Sequence, residues 1–193
     1  MVAAGPMPYF ASHVVMVKPT SFYSNEETIE DNKFMSRVSE SKKETTAKAQ
    51  LEFKNMVDNL RKHGIKVTVF KQQKDDLPDS IFPNNWFSTH KDSNIPKGVL
   101  ITYPMKHPSR QREYNPQIVE EIGQNYKKQE ILKAARKGES LEGTGCIVID
   151  TRLKKIYCCI SKRADFHTLI KFNMKLSKLA KESYQLVTFS AKD

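Results

Sequence analysis

The sequence predicts an α/β fold, because segments with the two-residue period of strands alternate with segments of helical period. Their order is strand, helix, strand, then a strand pair and a helix, then a strand pair, a helix and a strand. This repeats a strand–strand–helix–strand theme and differs from a doubly wound sheet. No glycine-rich phosphate loop leads from a strand into a helix, so a nucleotide-binding fold has little support.

The first predicted strand is the apolar run at residues 14–17, which ends at Lys18-Pro-Thr. A short continuous apolar run of this kind is typical of a strand in a sheet that is covered on both faces. Residues 21–39 are polar with scattered aromatic side chains and show no clean period. They predict a long loop, either a lid over a site or a surface excursion held down by its aromatic residues.

The next segment predicts a helix followed by a strand. Ser41 and Glu44 have the spacing of a capping box, and Gly64 stands where a left-handed residue ends a helix. Residues 65–70 alternate between apolar and polar side chains, as a strand does. The apolar residues at helical spacing are Ala49, Phe53, Met56, Val57 and Leu60.

Residues 77–90 form the most informative stretch of the chain. It reads as a turn followed by an interrupted strand, since Pro83 removes one backbone donor and the Asn84–Asn85 pair competes for backbone hydrogen bonds. Asp79 and the single tryptophan, Trp86, lie close by. One interpretation is a polar cluster on an apolar platform, as in a small-molecule site. The alternative is an Asn-rich turn beside a core tryptophan.

The second half of the chain follows the same theme. Residues 98–103 predict a strand, 107–113 a basic turn, and Asn115 with Pro116 the start of a helix. A short strand or turn is expected at 131–132. Residues 146–150 and 155–160 predict a hairpin, and a strand is expected at 184–189. Asp165 is expected to cap the last helix, whose apolar positions are Leu169, Phe172, Leu176, Leu179 and Ala180.

Composition is that of an ordinary globular protein of 193 residues, with 38% hydrophobic and 28% charged side chains. No secretory signal or membrane-spanning run is apparent, and three cysteines, two of them adjacent, fit neither a disulfide framework nor a zinc site. We therefore expect a cytoplasmic protein without a metal or other cofactor. The net charge of +10 comes from scattered lysines without an arginine-rich stripe, so specific nucleic-acid binding is not expected.

Five motifs in register over residues 14–163 resemble the guanidino-group modifying superfamily, the penteins. The resemblance is strongest to the branch of citrulline-utilisation hydrolases, also described as amidinotransferase-like proteins. The motifs are Lys18-Pro-Thr with Phe22 and Asn25-Glu-Glu-Thr28, Leu77-Pro-Asp-Ser-Ile-Phe-Pro-Asn-Asn-Trp86, Tyr103-Pro-Met with Pro108-Ser-Arg110, Leu141-Glu-Gly-Thr-Gly145 and Ser161-Lys-Arg163.

The resemblance implies an α/β propeller of five ββαβ modules around one polar substrate site. This chain matches about three of them, roughly residues 10–75, 76–135 and 136–193, within one domain 1–193 that is expected to be incomplete. In the superfamily a cysteine attacks the guanidino or ureido carbon and a histidine handles protons. Both are expected beyond Asp193.

The resemblance also implies roles for six residues of this chain. Asp79 matches an aspartate that binds substrate nitrogens, and Asn84 and Asn85 stand where the dimethylarginine enzymes carry two acids. Glu142 matches the acidic member of the catalytic set. The remaining two, Arg110 and Arg163, match arginines that hold the substrate carboxylate.

The exchange of acids for Asn84 and Asn85 indicates a neutral substrate group. A guanidinium is cationic and only donates hydrogen bonds, which suits carboxylates. A ureido group is neutral and includes a carbonyl acceptor, and carboxamides can both donate to it and accept from its nitrogens. The pair therefore favours citrulline over arginine.

Other interpretations remain open. His90, His107 and Cys146 could lie near the site, although a solitary histidine or a buried thiol more often has a structural role. The chain could also bind a ureido or amino-acid ligand without catalysis, or act as a non-catalytic interaction module. An open propeller edge would favour a homo-oligomer that covers it.

Overall fold

The computed structural model describes residues 11–29, 35–37, 39–91, 95–126, 128–131 and 138–190. It divides into two compact units, Met1–Ile81 and Phe82–Asp193. Strands and helices alternate in both, which confirms the predicted α/β class. None of the helices within the described residues is long and apolar enough to span a membrane.

The first unit contains one parallel strand pair joined by a long helix. Strand β1 (His13–Lys18) pairs with β2 (Lys66–Lys71), and helix α1 (Lys42–Lys62) connects them. The predicted capping box of α1 is confirmed, since the Ser41 side chain accepts from the backbone N–H of Glu44 while the Glu44 carboxylate accepts from that of Ser41. Gly64 follows with φ +80°, a left-handed conformation that glycine adopts without steric cost.

Two expectations for the first unit are wrong. In the apolar run of β1 only Val17 is buried, and β1 pairs with β2 alone among the described strands, so this strand is not covered on both faces. Met56 is 57% exposed and does not belong to the inner face of α1. Of the predicted loop 21–39, residues 30–34 and 38 lie outside the described residues, and its role as a lid stays a prediction.

In the described part of the second unit, two sheets have the same strand order. In the first, β3 (Phe87–His90) runs antiparallel to β4 (Val99–Thr102), which pairs in parallel with β5 (Lys128–Ile131). In the second, β6 (Ile147–Asp150) runs antiparallel to β7 (Lys155–Cys159), which pairs in parallel with β8 (Gln185–Phe189).

Helices make the crossover in each of these sheets. The first crossover carries α2 (Pro108–Gln111) and α3 (Pro116–Gly123), and the second carries α5 (Phe166–Ala180). The predicted caps of α3 and α5 are confirmed, because Asn115 and Asp165 accept backbone N–H groups in the first turns. The strand–strand–helix–strand theme thus recurs twice in the second unit.

One hydrophobic core joins the two sheets of the second unit. Val99 and Ile101 of β4 lie in the same cluster as Ile156 of β7 and Phe172 of α5. All four side chains are almost completely buried. The core therefore fixes the sheets relative to one another and supports the loops that emerge from them.

Candidate active site

In the first unit, Asp79 lies on a short 3₁₀ helix, Pro78–Ile81, and is buried. One carboxylate oxygen, Oδ2, accepts from Asn25 Nδ2 at 2.8 Å and from Thr28 Oγ1 at 3.1 Å. Asn25 is itself held because its Oδ1 accepts from the backbone N–H of Glu27. Asp79 Oδ1 has no hydrogen-bond partner among the described residues, so that oxygen can accept from a ligand.

In the second unit, the Asn84–Asn85 pair occupies a second 3₁₀ helix, Pro83–Asn85, and the strand begins only at Phe87. The expected interrupted strand is therefore wrong in its first half. Proline at the first helical position and two short amide side chains favour such a tight turn over a sheet ladder. Asn85 is buried, whereas Asn84 is exposed.

Of the apolar side chains around this turn, Trp86 and Phe87 are buried whereas Phe82 is 45% exposed, so a packed platform is found only in part. Trp86 is 3% exposed, and its ring centroid lies 4.7 Å from that of Phe87 and 5.5 Å from that of Tyr114. Its backbone carbonyl accepts from the N–H of Tyr103 at 2.8 Å. The turn that carries the asparagines is thus anchored directly to a packed core residue.

The loop at residues 141–145 interlocks with the asparagine turn. A Cβ atom on Gly143 would lie 2.7 Å from the carbonyl oxygen of Asn84, and one on Gly145 would lie 2.9 Å from Asn85 Oδ1. Between these glycines, Thr144 Oγ1 lies 2.9 Å from Asn84 Nδ2 and 3.1 Å from Asn84 O. Glycine is required at 143, where the nearest atoms belong to the backbone of the turn, whereas the atoms nearest to a Cβ at 145 belong to the side chains of Asn85 and Arg163.

Glu142 directly precedes Gly143 in this loop and is completely buried. Its Oε2 accepts from Arg163 Nε at 2.7 Å, and its Oε1 accepts from the backbone N–H of Lys106 at 3.1 Å. The backbone N–H of Glu142 donates to Arg163 O at 3.2 Å, which fixes the two segments a second time. The charge of the carboxylate is therefore compensated by a guanidinium and by hydrogen bonds, as burial demands.

Arg163 has hydrogen-bond donors that Glu142 does not use. Its side chain is 24% exposed, and beyond the bond from Nε to Glu142 its terminal nitrogens have no hydrogen-bond partner among the described residues. A Cβ on Gly145 would lie 3.0 Å from Arg163 Nη2, so this nitrogen lies beside the asparagine turn. The structure thus brings together Asn84, Asn85, Glu142 and Arg163.

Arg110 has a different environment, on helix α2. Its Nε and Nη2 donate to the two carboxylate oxygens of Glu113 at 2.9 and 3.0 Å, and both side chains are buried. This bidentate geometry is the strong form of an arginine–carboxylate pair. The predicted contact between Arg110 and a substrate carboxylate stays a prediction.

Two of the three cysteines, Cys146 and Cys158, do not form an ionised nucleophile. Cys146 ends a single helical turn, α4 (Gly143–Cys146), and its Sγ donates to Arg163 O at 3.3 Å. Burial raises the pKa of the Cys146 thiol to about 11 against the opposing effect of Arg163, and burial raises that of Cys158 to about 12. Both are neutral thiols at neutral pH, and the thiolate is the reactive form.

The histidine nearest to this region in sequence belongs to a hydrogen-bonded chain on the sheet. His90 Nε2 lies 2.8 Å from Ser88 Oγ, which in turn lies 2.7 Å from the buried Tyr103 hydroxyl. Burial raises the pKa of Tyr103, so this hydroxyl stays protonated. Within the residues that the structure describes, no cluster of three or more His, Cys, Asp or Glu side chains could hold a metal ion.

Comparison with protein families decides the relationship. The family model of the eukaryotic N,N dimethylarginine dimethylhydrolases matches residues 18–193. The chain belongs to this family. The predicted guanidino-group modifying superfamily is thereby confirmed, although the family matched is the dimethylarginine one and the motifs had favoured the citrulline-utilisation branch. A search of the curated proteins found no match.

Solved structures of related enzymes share the fold of this family member. A dimethylarginine dimethylaminohydrolase in adduct with S-methyl-L-thiocitrulline is 17% identical with a TM-score of 0.66, and covers 95% of this chain. The enzyme of Pseudomonas aeruginosa complexed with citrulline is 17% identical, with a TM-score of 0.64 and 95% coverage of this chain.

A third solved structure is the N-terminal domain of ArgZ, an arginine dihydrolase of the ornithine-ammonia cycle in cyanobacteria. It is 16% identical, with a TM-score of 0.64, and covers 94% of this chain. This chain spans 63% of each dimethylarginine enzyme and 58% of the ArgZ domain.

Three polar residues near the predicted site residues of this family member were not themselves predicted as site residues. Asn25 and Thr28 hold Asp79, and Thr144 contacts Asn84. The sequence showed Asn25 and Thr28 only as members of a motif, because the sequence of a loop does not indicate which distant carboxylate its side chains will bind. For Thr144 the available signal was its position between two glycines, which exposes a hydroxyl at a close backbone contact.

Proposed function

We propose that this chain carries the substrate-recognition part of a hydrolase that acts on the ureido or guanidino group of an amino acid, with citrulline favoured over arginine. Membership of the dimethylarginine dimethylhydrolase family supports the reaction class. The related enzymes point the same way, since one was solved with citrulline and another is an arginine dihydrolase solved with its substrate.

One observation carries the proposal. Asn84 and Asn85 lie against the loop that bears Glu142, and Glu142 is ion-paired with Arg163. Two carboxamides beside a buried, compensated carboxylate suit a neutral group that both donates and accepts hydrogen bonds. Two acids at the same place would suit a guanidinium instead.

The proposed roles follow from the hydrogen-bonding capacity of each side chain. Asp79, Asn84 and Asn85 bind the nitrogens and oxygen of the substrate head group. Glu142 is the acidic member of the catalytic set, and it also orients Arg163, whose terminal N–H groups bind the substrate carboxylate. For Arg110, only its sequence motif supports the proposed contact with the substrate carboxylate.

The proposal assigns the nucleophilic cysteine and the proton-carrying histidine to residues outside 1–193. The neutral, hydrogen-bonded thiol of Cys146 supports this assignment. The proposal further includes a pentein propeller with three of its five ββαβ modules at residues 10–75, 76–135 and 136–193. The recurring strand order of the second unit supports it, as does the 63% coverage of the dimethylarginine enzymes. A homo-oligomer covering the open edge and a cytoplasmic location belong to the same proposal.

Calorimetric titration of this chain with citrulline, arginine and dimethylarginine tests the recognition. We expect saturable binding that is tightest for citrulline, and roughly tenfold weaker citrulline binding by Asn85→Ala, because one buried hydrogen-bonding group is lost. Asn59→Ala on the exposed side of α1 is the matched control and should bind as the wild type does. Equal or tighter binding of arginine would overturn the preference, and no saturable binding would overturn the recognition role.

A non-catalytic binding or interaction module is the second candidate, and the state of Cys146 favours it for the isolated chain. Assays for ammonia or ornithine released from citrulline test whether this chain carries a nucleophile of its own. Binding without release is expected of both functions. Release that is abolished by iodoacetamide at pH 8 would show a reactive thiol on this chain and would contradict the assignment of the nucleophile elsewhere.

A further inference from the structure

Thr144 lies at the exposed tip of the loop between Gly143 and Gly145, and it contacts the asparagine turn twice. Its Oγ1 lies 3.1 Å from the carbonyl oxygen of Asn84 and 2.9 Å from the side-chain amide of the same residue. A hydroxyl has one proton to donate and two lone pairs to accept with. A carbonyl oxygen only accepts, so the single proton of Thr144 is used on Asn84 O.

That use of the proton fixes the orientation of the Asn84 side chain. Since Thr144 Oγ1 has nothing left to donate, the Asn84 group facing it must be a donor, which is the amide nitrogen Nδ2. The same Nδ2 lies 3.0 Å from Asn85 and therefore donates to Oδ1 of that residue. One hydroxyl thus determines which way both carboxamides face.

The fixed orientation leaves a defined pair of groups for a ligand. Among the described residues, Asn84 Oδ1 and Asn85 Nδ2 have no hydrogen-bond partner. They offer an acceptor beside a donor. A ureido group supplies an N–H donor beside a carbonyl acceptor and matches both, whereas a guanidinium has only donors and would leave the Asn85 amide facing another donor.

We propose that Thr144 is a positioning residue that sets the preference for a ureido over a guanidino group by holding the Asn84–Asn85 amides in one orientation. This inference rests on the proposed recognition function. Without the hydroxyl, Asn84 is free to turn its oxygen towards the loop, and Asn85 then turns with it. The donor and the acceptor that the pair offers would then exchange places. A ureido group held in the same position by the rest of the site would lose both matches, whereas a guanidinium would still meet one acceptor and one donor as before.

The test compares Thr144→Val, which has the same shape without the hydroxyl, with Thr144→Ser, which keeps it. The full chain is titrated with citrulline and arginine. We expect the valine variant to lose roughly five- to tenfold in the ratio of citrulline to arginine affinity, the effect of one hydrogen bond. The serine variant should keep the ratio within about twofold. An unchanged ratio in the valine variant, or equal loss in both variants, would overturn the proposal.

Side-chain amide NMR signals report the orientation of the Asn84 amide in the absence of a ligand. In the wild type and in Thr144→Ser, we expect nuclear Overhauser contacts between the Asn84 NH₂ protons and residue 144. These contacts should disappear in Thr144→Val while the thermal midpoint, and hence the fold, is kept. Their absence from the wild type would overturn the positioning role. If they are present and neither ligand binds, the proposed recognition function has failed separately.

Discussion

At the scale of single residues, Glu142 combines complete burial with a charge. Its carboxylate depends on Arg163 Nε and on the backbone N–H of Lys106. Glu142→Ala leaves both donors without their acceptor, in a place that water cannot freely enter. Breaking a buried ion pair costs about 3–5 kcal/mol, and the partial exposure of Arg163 lowers our expectation to about 2–3 kcal/mol of unfolding free energy. Urea denaturation measures it.

The control for Glu142 is a carboxylate in an exposed pair. Asp58 accepts from Lys54 on α1 with both side chains more than half exposed. Because such pairs contribute little, Asp58→Ala should change the unfolding free energy by less than about 0.5 kcal/mol. Similar losses in the two variants would mean that Glu142 is not the buried anchor of its loop.

A second prediction concerns Gly143 in the same loop. Gly143 has φ +30° and faces the backbone oxygens of both Asn84 and Asn85, which cannot move independently of the turn. Gly143→Ala combines left-handed strain with overpacking and should cost about 3 kcal/mol in thermal or urea unfolding. Gly64→Ala, where φ is +80° but no atom lies within 4 Å, should cost only about 1–2 kcal/mol. A smaller loss for Gly143 than for Gly64 would contradict the interlock.

At the scale of elements, the N-terminus of α5 connects helix stability to the site. Asp165 Oδ1 accepts from the backbone N–H of Thr168 at 2.8 Å and from its hydroxyl at 3.0 Å. The backbone N–H of Asp165 donates to Ser140 O, and Arg163 lies only two residues earlier. The cap therefore fixes the start of the helix and the direction in which the chain presents Arg163.

Removing this cap should have a pH-dependent effect. Burial disfavours the charged carboxylate, but the hydrogen bonds from Thr168 outweigh it and hold the pKa of Asp165 below its ordinary value of 3.8. A lowered pKa stabilises the fold above the ordinary value, and this contribution is lost as the pH falls through the folded-state value. Asp165→Ala should cost about 1 kcal/mol at pH 7 and less below about pH 4.

The conservative control for the cap is Asp165→Asn. Asparagine caps nearly as well as aspartate but does not titrate, so it should cost only a few tenths of a kcal/mol at any pH. Stability curves recorded from pH 3 to pH 7 compare the three proteins. A constant gap between the wild type and Asp165→Ala would show that the charge of the cap has no role.

Elements with local signals were predictable from the sequence, and the contacts between them were not. The helix starts could be predicted because a capping side chain bonds a backbone N–H no more than three residues further on. The capping residues are Ser41, Asn115 and Asp165. The sequence predicts an interrupted strand where the Pro83–Asn85 turn lies, because proline and asparagine indicate that a strand is broken but not which structure takes its place. The pairing of Arg110 with Glu113 was within reach, since Glu113 follows Arg110 by three residues in the turn that ends α2. The bond from Thr144 to Asn84 joins residues 60 positions apart and has no local signal.

At the scale of the whole molecule, the second unit depends on one core that its two sheets share. Phe172 of α5 is fully buried, and its ring centroid lies 5.6 Å from that of Tyr103, which directly follows β4. The Leu141 backbone N–H donates to Pro104 O, so the glycine loop is attached to the same region. Losing the aromatic ring should therefore weaken both sheets together and loosen the loop that carries Glu142.

Phe172→Ala should lower the unfolding free energy by about 3–5 kcal/mol, because a large buried side chain leaves a cavity behind. Hydrogen exchange should accelerate at the amides of β4 as well as β7, since both sheets pack on this ring. Met174→Ala on the same helix removes a side chain that is 67% exposed and should cost less than about 0.5 kcal/mol. Faster exchange confined to β7 would mean that the two sheets unfold independently, and that the asparagine turn and the Glu142 loop owe their arrangement to their direct contacts alone.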